Sequence, residues 1–167
     1  MSIQIGERIP DASLGEFIDV ATDACPTGPT MHSAAELAKG KKIAVFAVPG
    51  AFTPTCSEQH LPGYLELHDE LKAKGIDEIW CVSVNDAFVM GAWGREQNVQ
   101  GRIRMLADGS AQWTNALGLE LDLTERGLGV GSQRYSAIID DGIVQQLNVE
   151  QAGKLDVSAA STLLTQL

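Results

Sequence analysis

The sequence predicts an α/β fold in which two parallel strands are joined through a helical crossover, followed by an antiparallel hairpin and a closing helix. Three observations predict it. Segments 43–48 (Ile-Ala-Val-Phe-Ala-Val) and 79–84 (Ile-Trp-Cys-Val-Ser-Val) are short, continuous apolar runs, the pattern of strands buried on both faces. Between them Leu61, Tyr64, Leu65, His68 and Leu71 recur at helical spacing, so the two runs are separated by a crossover helix. Farther on, Asp141-Gly142 sits between two apolar segments and is a strong short hairpin signal.

The totals bound the answer. A chain of 167 residues, 44% of them hydrophobic, suits one domain over 1–167 with a full-sized core. Twelve Lys and Arg against twenty-two Asp and Glu give a net charge of −10, a surface that repels phosphate backbones and anionic membranes. Neither nucleic acid nor a membrane is an expected partner. Cys25, Cys56 and Cys81 form no C-x-x-C pair and no even-numbered disulfide framework. With His32, His60 and His68 they also fail the usual zinc spacings. The first residues lack the apolar stretch of a signal peptide, and no apolar run reaches eighteen residues. A reducing, cytoplasmic setting is the expectation.

In chain order, residues 1–42 are short apolar pieces broken by Ile9-Pro10-Asp11 and Cys25-Pro26-Thr27-Gly28-Pro29, and read as hairpin and loop with a helical turn over 33–38. Cys25 reads as an incidental loop cysteine. Strand 43–48 follows, then a turn forced by Pro49, Gly50 and Pro54, then a helix over 55–74 that Pro62 bends and Gly75 stops. His68 reads as a packed histidine. After strand 79–84, Asp86 caps a helix over 87–97 with Phe88, Ala92 and Trp93 turned inward. A strand at 104–106 leads to the turn Asp108-Gly109-Ser110 and a short helix ending at Gly118. Residues 119–123 alternate like an edge strand. The glycines of 127–131 lack the spacing and context of a dinucleotide fingerprint and read as loop. Strands 134–140 and 143–149 flank the Asp141-Gly142 turn, and a helix over 158–166 closes the chain. This order is the thioredoxin-like arrangement, whose reactive position is the start of the first core helix. Cys56 falls there, where unpaired N–H groups and the helix dipole favour thiolate, the nucleophilic form. All six prolines lie at or before residue 62, so the proline that thioredoxins carry ahead of the hairpin strand is missing. A dithiol reductase is therefore not expected.

The stretch Pro49-Gly50-Ala51-Phe52-Thr53-Pro54-Thr55-Cys56-Ser57, followed by His60-Leu61-Pro62-Gly63, resembles the active-site motif of peroxiredoxins, in particular the peroxiredoxin V group, called type II in plants. Segments 82–89, 106–108 and 134–136 are similar to that group as well. The resemblance implies a thioredoxin-like fold with a peroxiredoxin-type N-terminal extension and mid-chain insertion. It also implies a thiol-dependent peroxidase acting on hydrogen peroxide and alkyl hydroperoxides without metal, haem or flavin. Cys56 would be oxidised to a sulfenic acid, with the Thr53 hydroxyl aimed at sulfur and peroxide and Pro49 walling the pocket from water. Arg134 would supply the cation that stabilises thiolate and leaving oxyanion, with the Cys56 backbone N–H completing the oxygen site.

Recycling is the open half of the cycle. No cysteine follows Cys81, so the C-terminal resolving cysteine of animal members has no counterpart. Cys81 stands at the spacing of the second cysteine of plant members, but in an apolar strand where an inert packed cysteine is the usual outcome. It is the candidate resolving residue, set against an external thiol from glutaredoxin with glutathione or from thioredoxin. The group also implies a homodimer, with Phe88 and the loop at Phe52 as contacts. Two rival functions keep their own tests. A cysteine hydrolase or transferase would pair Cys56 with His60 one turn away, and would make His60→Ala inactive where a peroxidase loses little. A non-enzymatic thioredoxin-like binding protein would leave Cys56 slow to alkylate.

Overall fold

The structure, a computed structural model, describes residues 1–17 and 28–167. Cys25 lies outside the described residues. Among them, seven strands form one mixed sheet in the order β2-β1-β5-β4-β3-β8-β9, with β1 Ser13–Glu16, β2 Thr30–Ser33, β3 Lys42–Ala47, β4 Glu78–Ser83, β5 Arg104–Ala107, β8 Tyr135–Asp140 and β9 Ile143–Val149. β3, β4 and β5 are parallel, while β8 pairs antiparallel with both β3 and β9. This is the mixed α/β, thioredoxin-like arrangement. Asp141 and Gly142 turn the last hairpin with φ of +48° and +82°, the left-handed pair that a two-residue loop between twisted strands requires.

The central strands are apolar throughout because both sheet faces are covered. Ala44 and Phe46 of β3, with Val48 just beyond it and Ile79 and Cys81 of β4, face one core; Ile43, Val45, Ala47, Trp80 and Val82 face the other. The first core is closed by α2 (Leu61–Glu66), α3 (His68–Ala73), α4 (Ala87–Glu96) and α6 (Ala160–Thr165). The second is closed by α1 (Ala34–Ala38), capped by Ser33, and α5 (Gln112–Leu117), which ends at the left-handed Gly118.

Three expectations change. The single helix over 55–74 is instead a π-turn, Cys56–His60, followed by α2 and α3, which Leu67 separates. Pro62 follows directly on the π-turn in a helical run that begins at Pro54, and it lacks the N–H that would pair with the preceding turn. Phe88 does not face the core: it is 57% exposed and meets Phe17, while Met90 turns inward in its place beside Trp93, which is buried as expected. Residues 127–131 are also not all loop. β7, Gly129–Ser132, pairs with β6, Glu120–Leu123, in a two-stranded ribbon.

Candidate active site

The site forms where the C-terminal end of β3 meets the loop 48–55. Two tethers fix that loop. Asn85, just beyond β4, accepts from the Ala51 N–H at 3.0 Å and from Ser83 Oγ at 2.6 Å. Gly131 of β7 lies so close that an added Cβ would stand 3.1 Å from the Pro49 carbonyl, so the ribbon packs backbone against backbone there. Phe52 takes the left-handed conformation at φ +65°, unusual for a bulky side chain and characteristic of strained loops at functional sites.

Pro54 opens the helical segment and the Ser57 N–H closes its first turn on the Thr53 carbonyl at 2.9 Å. The π-turn then widens the backbone by one residue, with the Leu61 N–H reaching the Cys56 carbonyl. Cys56 and His60 both face inward as a result, at 0% and 1% exposure. Trp93 of α4 donates from Nε1 to Ser57 Oγ at 2.9 Å and anchors the turn from the far side.

Arg134 arrives from the residue before β8. Its Nη2 donates to Cys56 Sγ at 3.1 Å and its Nη1 donates to His60 Nδ1 at 2.8 Å. Among the described residues this guanidinium has no carboxylate partner. Its charge is therefore directed at the sulfur. Thr53 is half-buried, and its hydroxyl does not point its proton at the sulfur: Oγ1 donates to the Gly50 carbonyl at 2.6 Å. With that proton committed, the oxygen offers the site its acceptor lone pairs.

His60 does not play the part that the rival hydrolase reading would give it. Its Nε2 lies 3.1 Å from the Ser158 carbonyl, which only accepts, so Nε2 carries the proton. Its Nδ1 faces a guanidinium, which only donates, so Nδ1 is the lone pair. Burial, with Arg134 adding to it, lowers the imidazole from its ordinary 6.5 to about 4 and keeps it neutral. Neither nitrogen is free to take a proton from Cys56. The Cys–His hydrolase pair is thus replaced by a histidine that aims an arginine, and His60→Ala should cost more than the small loss expected above.

Cys81 lies in β4, opposite Phe46 of β3, fully buried. Burial pushes its thiol well up, and the neighbouring Cys56 adds to this. Both Cys56 and Cys81 are free thiols. A groove of about 640 Å³ opens beside the site, lined by Pro49, Thr55, Arg134, Glu150 and residues 121–126 and 151–154. No group of three or more His, Cys, Asp or Glu among the described residues could hold a metal ion.

Asn85, Trp93, Glu150 and Ser158 are the supports that sequence reasoning missed. Glu150 and Ser158 lie more than ninety residues after Cys56, with no local pattern to mark them.

The family profile described as Redoxin matches residues 4–164. Peroxiredoxin-2B of Arabidopsis thaliana is 47% identical over 165 residues, covering 99% of this chain and 98% of the relative. Among solved structures, reduced Prx3 of Vibrio vulnificus in complex with hydrogen peroxide superposes with a TM-score of 0.89 at 53% identity, covering 98% of each chain. Peroxiredoxin 5 of Alvinella pompejana does so with a TM-score of 0.83 at 33% identity, covering 98% of this chain and 96% of the other.

Proposed function

The chain belongs to the Redoxin family and is a peroxiredoxin, a thiol-dependent peroxidase, and we propose that the Cys56 thiolate is the group that attacks the peroxide. One observation carries this assignment: the Arg134 guanidinium donates to Cys56 Sγ and is neutralised by no carboxylate among the described residues.

In the proposed step the thiolate attacks one peroxide oxygen in line with the O–O bond. The sulfur–oxygen bond forms as the oxygen–oxygen bond breaks, and the electron pair leaves on the distal oxygen. That oxygen takes a proton and departs as water or an alcohol, while the sulfur, oxidised by two electrons, becomes Cys56 sulfenic acid. Arg134 stabilises both the attacking thiolate and the departing oxyanion. Thr53 Oγ1, its own proton held by Gly50, accepts a hydrogen bond from the hydroperoxide O–H and orients the oxygen to be attacked. Pro49 contributes no N–H and shields the loop from water.

Peroxiredoxins are recycled by thiol reductants. We propose that here the thiol is external: it condenses with the sulfenic acid to a mixed disulfide, releasing water, and a second thiol frees Cys56 as the disulfide of the reductant. The burial of Cys81 favours packing over resolution for that residue. The groove beside Pro49 and Arg134 is the approach for the reductant, either glutathione with glutaredoxin or thioredoxin. A homodimer using the exposed Phe52 and Phe88, and a reducing cytoplasmic setting, belong to the same proposal. Peroxide consumption by wild type, Cys56→Ser and Cys81→Ser with each donor in turn tests it. Cys56→Ser is expected to be inactive and Cys81→Ser fully active. Turnover surviving in Cys56→Ser, or lost in Cys81→Ser, contradicts the respective assignment.

A further inference from the structure

The reacting groups do not hold themselves in place. His60 Nε2 and Tyr64 Oη both donate to the Ser158 carbonyl, at 3.1 and 3.0 Å. Ser158 is fully buried and lies in the segment between β9 and α6. One carboxylate oxygen, Glu150 Oε2, pins that segment by accepting from the Asp156 N–H at 2.6 Å, the Ser158 N–H at 2.8 Å and Ser158 Oγ at 2.7 Å. The Glu150 N–H also donates to the Arg134 carbonyl at 2.9 Å. Glu150 therefore holds Arg134 from two ends. Its backbone fixes the residue's main chain, and its carboxylate fixes the carbonyl that orients His60, which in turn receives Arg134 Nη1.

We propose that Glu150 is a positioning residue for peroxide reduction, acting through Ser158, His60 and Arg134 on the Cys56 thiolate. The chain of donors has one consistent direction. A carboxylate accepts from the Ser158 N–H and hydroxyl, the Ser158 carbonyl accepts from His60, and the opposite nitrogen of His60 accepts from Arg134. Cut at Glu150, the loop loses three charge-assisted hydrogen bonds and the carbonyl drifts. His60 is then free to rotate, and Arg134 loses its aim at the sulfur. The groups facing His60 are Arg134, the Ser158 carbonyl, Phe46 and Tyr64, with the Glu150 charge behind them. The carboxylate itself is held ionised: burial opposes it, but the hydrogen bonds from residues 156 and 158 lower it below the usual range.

The sign of the effect separates this from simple electrostatics. Removing a nearby negative charge, and nothing else, would favour the thiolate and move the pH–rate profile toward acid. Loss of aim moves it toward alkali. The proposal rests on Cys56 as the attacking thiolate, but its failure looks different. Activity in Cys56→Ser defeats the reaction assignment, whereas here Cys56 stays essential and only its profile moves.

The test is the rate constant for hydrogen peroxide against pH in purified full-length variants. Glu150→Ala is expected to shift the profile to higher pH and to lower the rate about tenfold on its acid side, which corresponds to one pH unit. Glu150→Gln keeps an oxygen able to accept the same three bonds and is expected to recover most of that rate. Should Glu150→Ala not fold, Glu150→Asp, one methylene short of the loop, is expected to reproduce the alkaline shift. In a His60→Asn background, where the link to Ser158 is already cut, Glu150→Ala is expected to add nothing further. An unmoved or acid-shifted profile in Glu150→Ala and Glu150→Asp, or fully additive effects with His60→Asn, overturns the proposal.

Discussion

Two arginines in this molecule sit at opposite ends of one physical choice. Arg104, on β5, is saturated by carboxylates: Nε and Nη2 clamp Glu16 at 3.1 and 2.7 Å, and Nη1 reaches Glu78 at 3.0 Å. Lys41, His32 and the Trp80 Nε1–H complete the cluster, which ties β1, β2, β4 and β5 together beside the start of β3. Arg134 instead meets a neutral imidazole and a sulfur. The first arginine has spent its charge on the fold. The second keeps its charge for whatever anion the sulfur or a departing oxygen becomes. The difference lies in the partner set, since both side chains are half-buried and anchored at strands of the same sheet.

The comparison can be broken by exchanging consequences. Arg134→Met should lower the second-order rate constant for peroxide by about 10²–10³ and leave the urea midpoint little changed, because an unneutralised cation supports the transition state more than the fold. An unaltered rate would remove Arg134 from the site. His60→Leu comes next, with a loss of about tenfold in the same rate, since it leaves an Arg134 N–H and the Ser158 carbonyl short of a partner. A rate equal to wild type would mean that Arg134 aims itself.

Arg104→Met should do the reverse. It removes three hydrogen bonds from two partly buried carboxylates, leaving Glu16 to His32 and Glu78 to Lys41 and Trp80, so unfolding in urea should become easier by about 2 kcal/mol while the peroxide rate stays at the wild-type value. A rate loss larger than the stability loss explains would mean the two arginines are coupled.

Acid should reach both clusters through their carboxylates and histidine. Glu16 and Glu78 are held below the usual carboxylate range: burial opposes this, but the Arg104 hydrogen bond to Glu16 and the Lys41 and Arg104 bonds to Glu78 outweigh it. Their contribution is present above the ordinary value of 4.5 and lost as pH falls through their lowered folded values. His60 acts in the same direction from a higher starting point. Its stabilising effect is complete above 6.5 and is lost as pH falls toward about 4, a loss of at most about 3 kcal/mol. Urea midpoints measured across that window should fall steadily in wild type and less steeply in His60→Leu. Cys81→Ser is the smallest change, expected to cost about 1–2 kcal/mol of stability for a buried hydroxyl, with the peroxide rate intact.

Much of this contrast was legible in the chain, and the limits have physical causes. The alternation that puts Phe46 and Cys81 on one face and Val45 and Trp80 on the other is local, and so is the Asp141-Gly142 turn. Cys56 and Thr53 were readable because one turn carries both, and Arg134 because a resemblance placed it. The π-turn was not readable, since no residue between Cys56 and His60 announces a widened backbone. Its consequence, that His60 faces an arginine instead of serving Cys56, was therefore hidden too. Glu150 and Ser158 act through a loop hydrogen bond and a backbone carbonyl, features that side-chain patterns do not encode. Residues 127–131 read as loop because glycine is poor in strands, yet Gly131 is what lets the ribbon sit against the Pro49 carbonyl.

The most direct test of the central claim is to trap the oxidised sulfur. Reduced protein treated with one equivalent of hydrogen peroxide and a sulfenic-acid reagent such as dimedone should carry a single adduct, mapped by mass spectrometry to the peptide containing Cys56. Adduct formation should fall sharply in Arg134→Met and persist in Cys81→Ser. An adduct at Cys25 or Cys81 with Cys56 unmodified, or peroxide consumed at the wild-type rate by Cys56→Ser, would contradict the account.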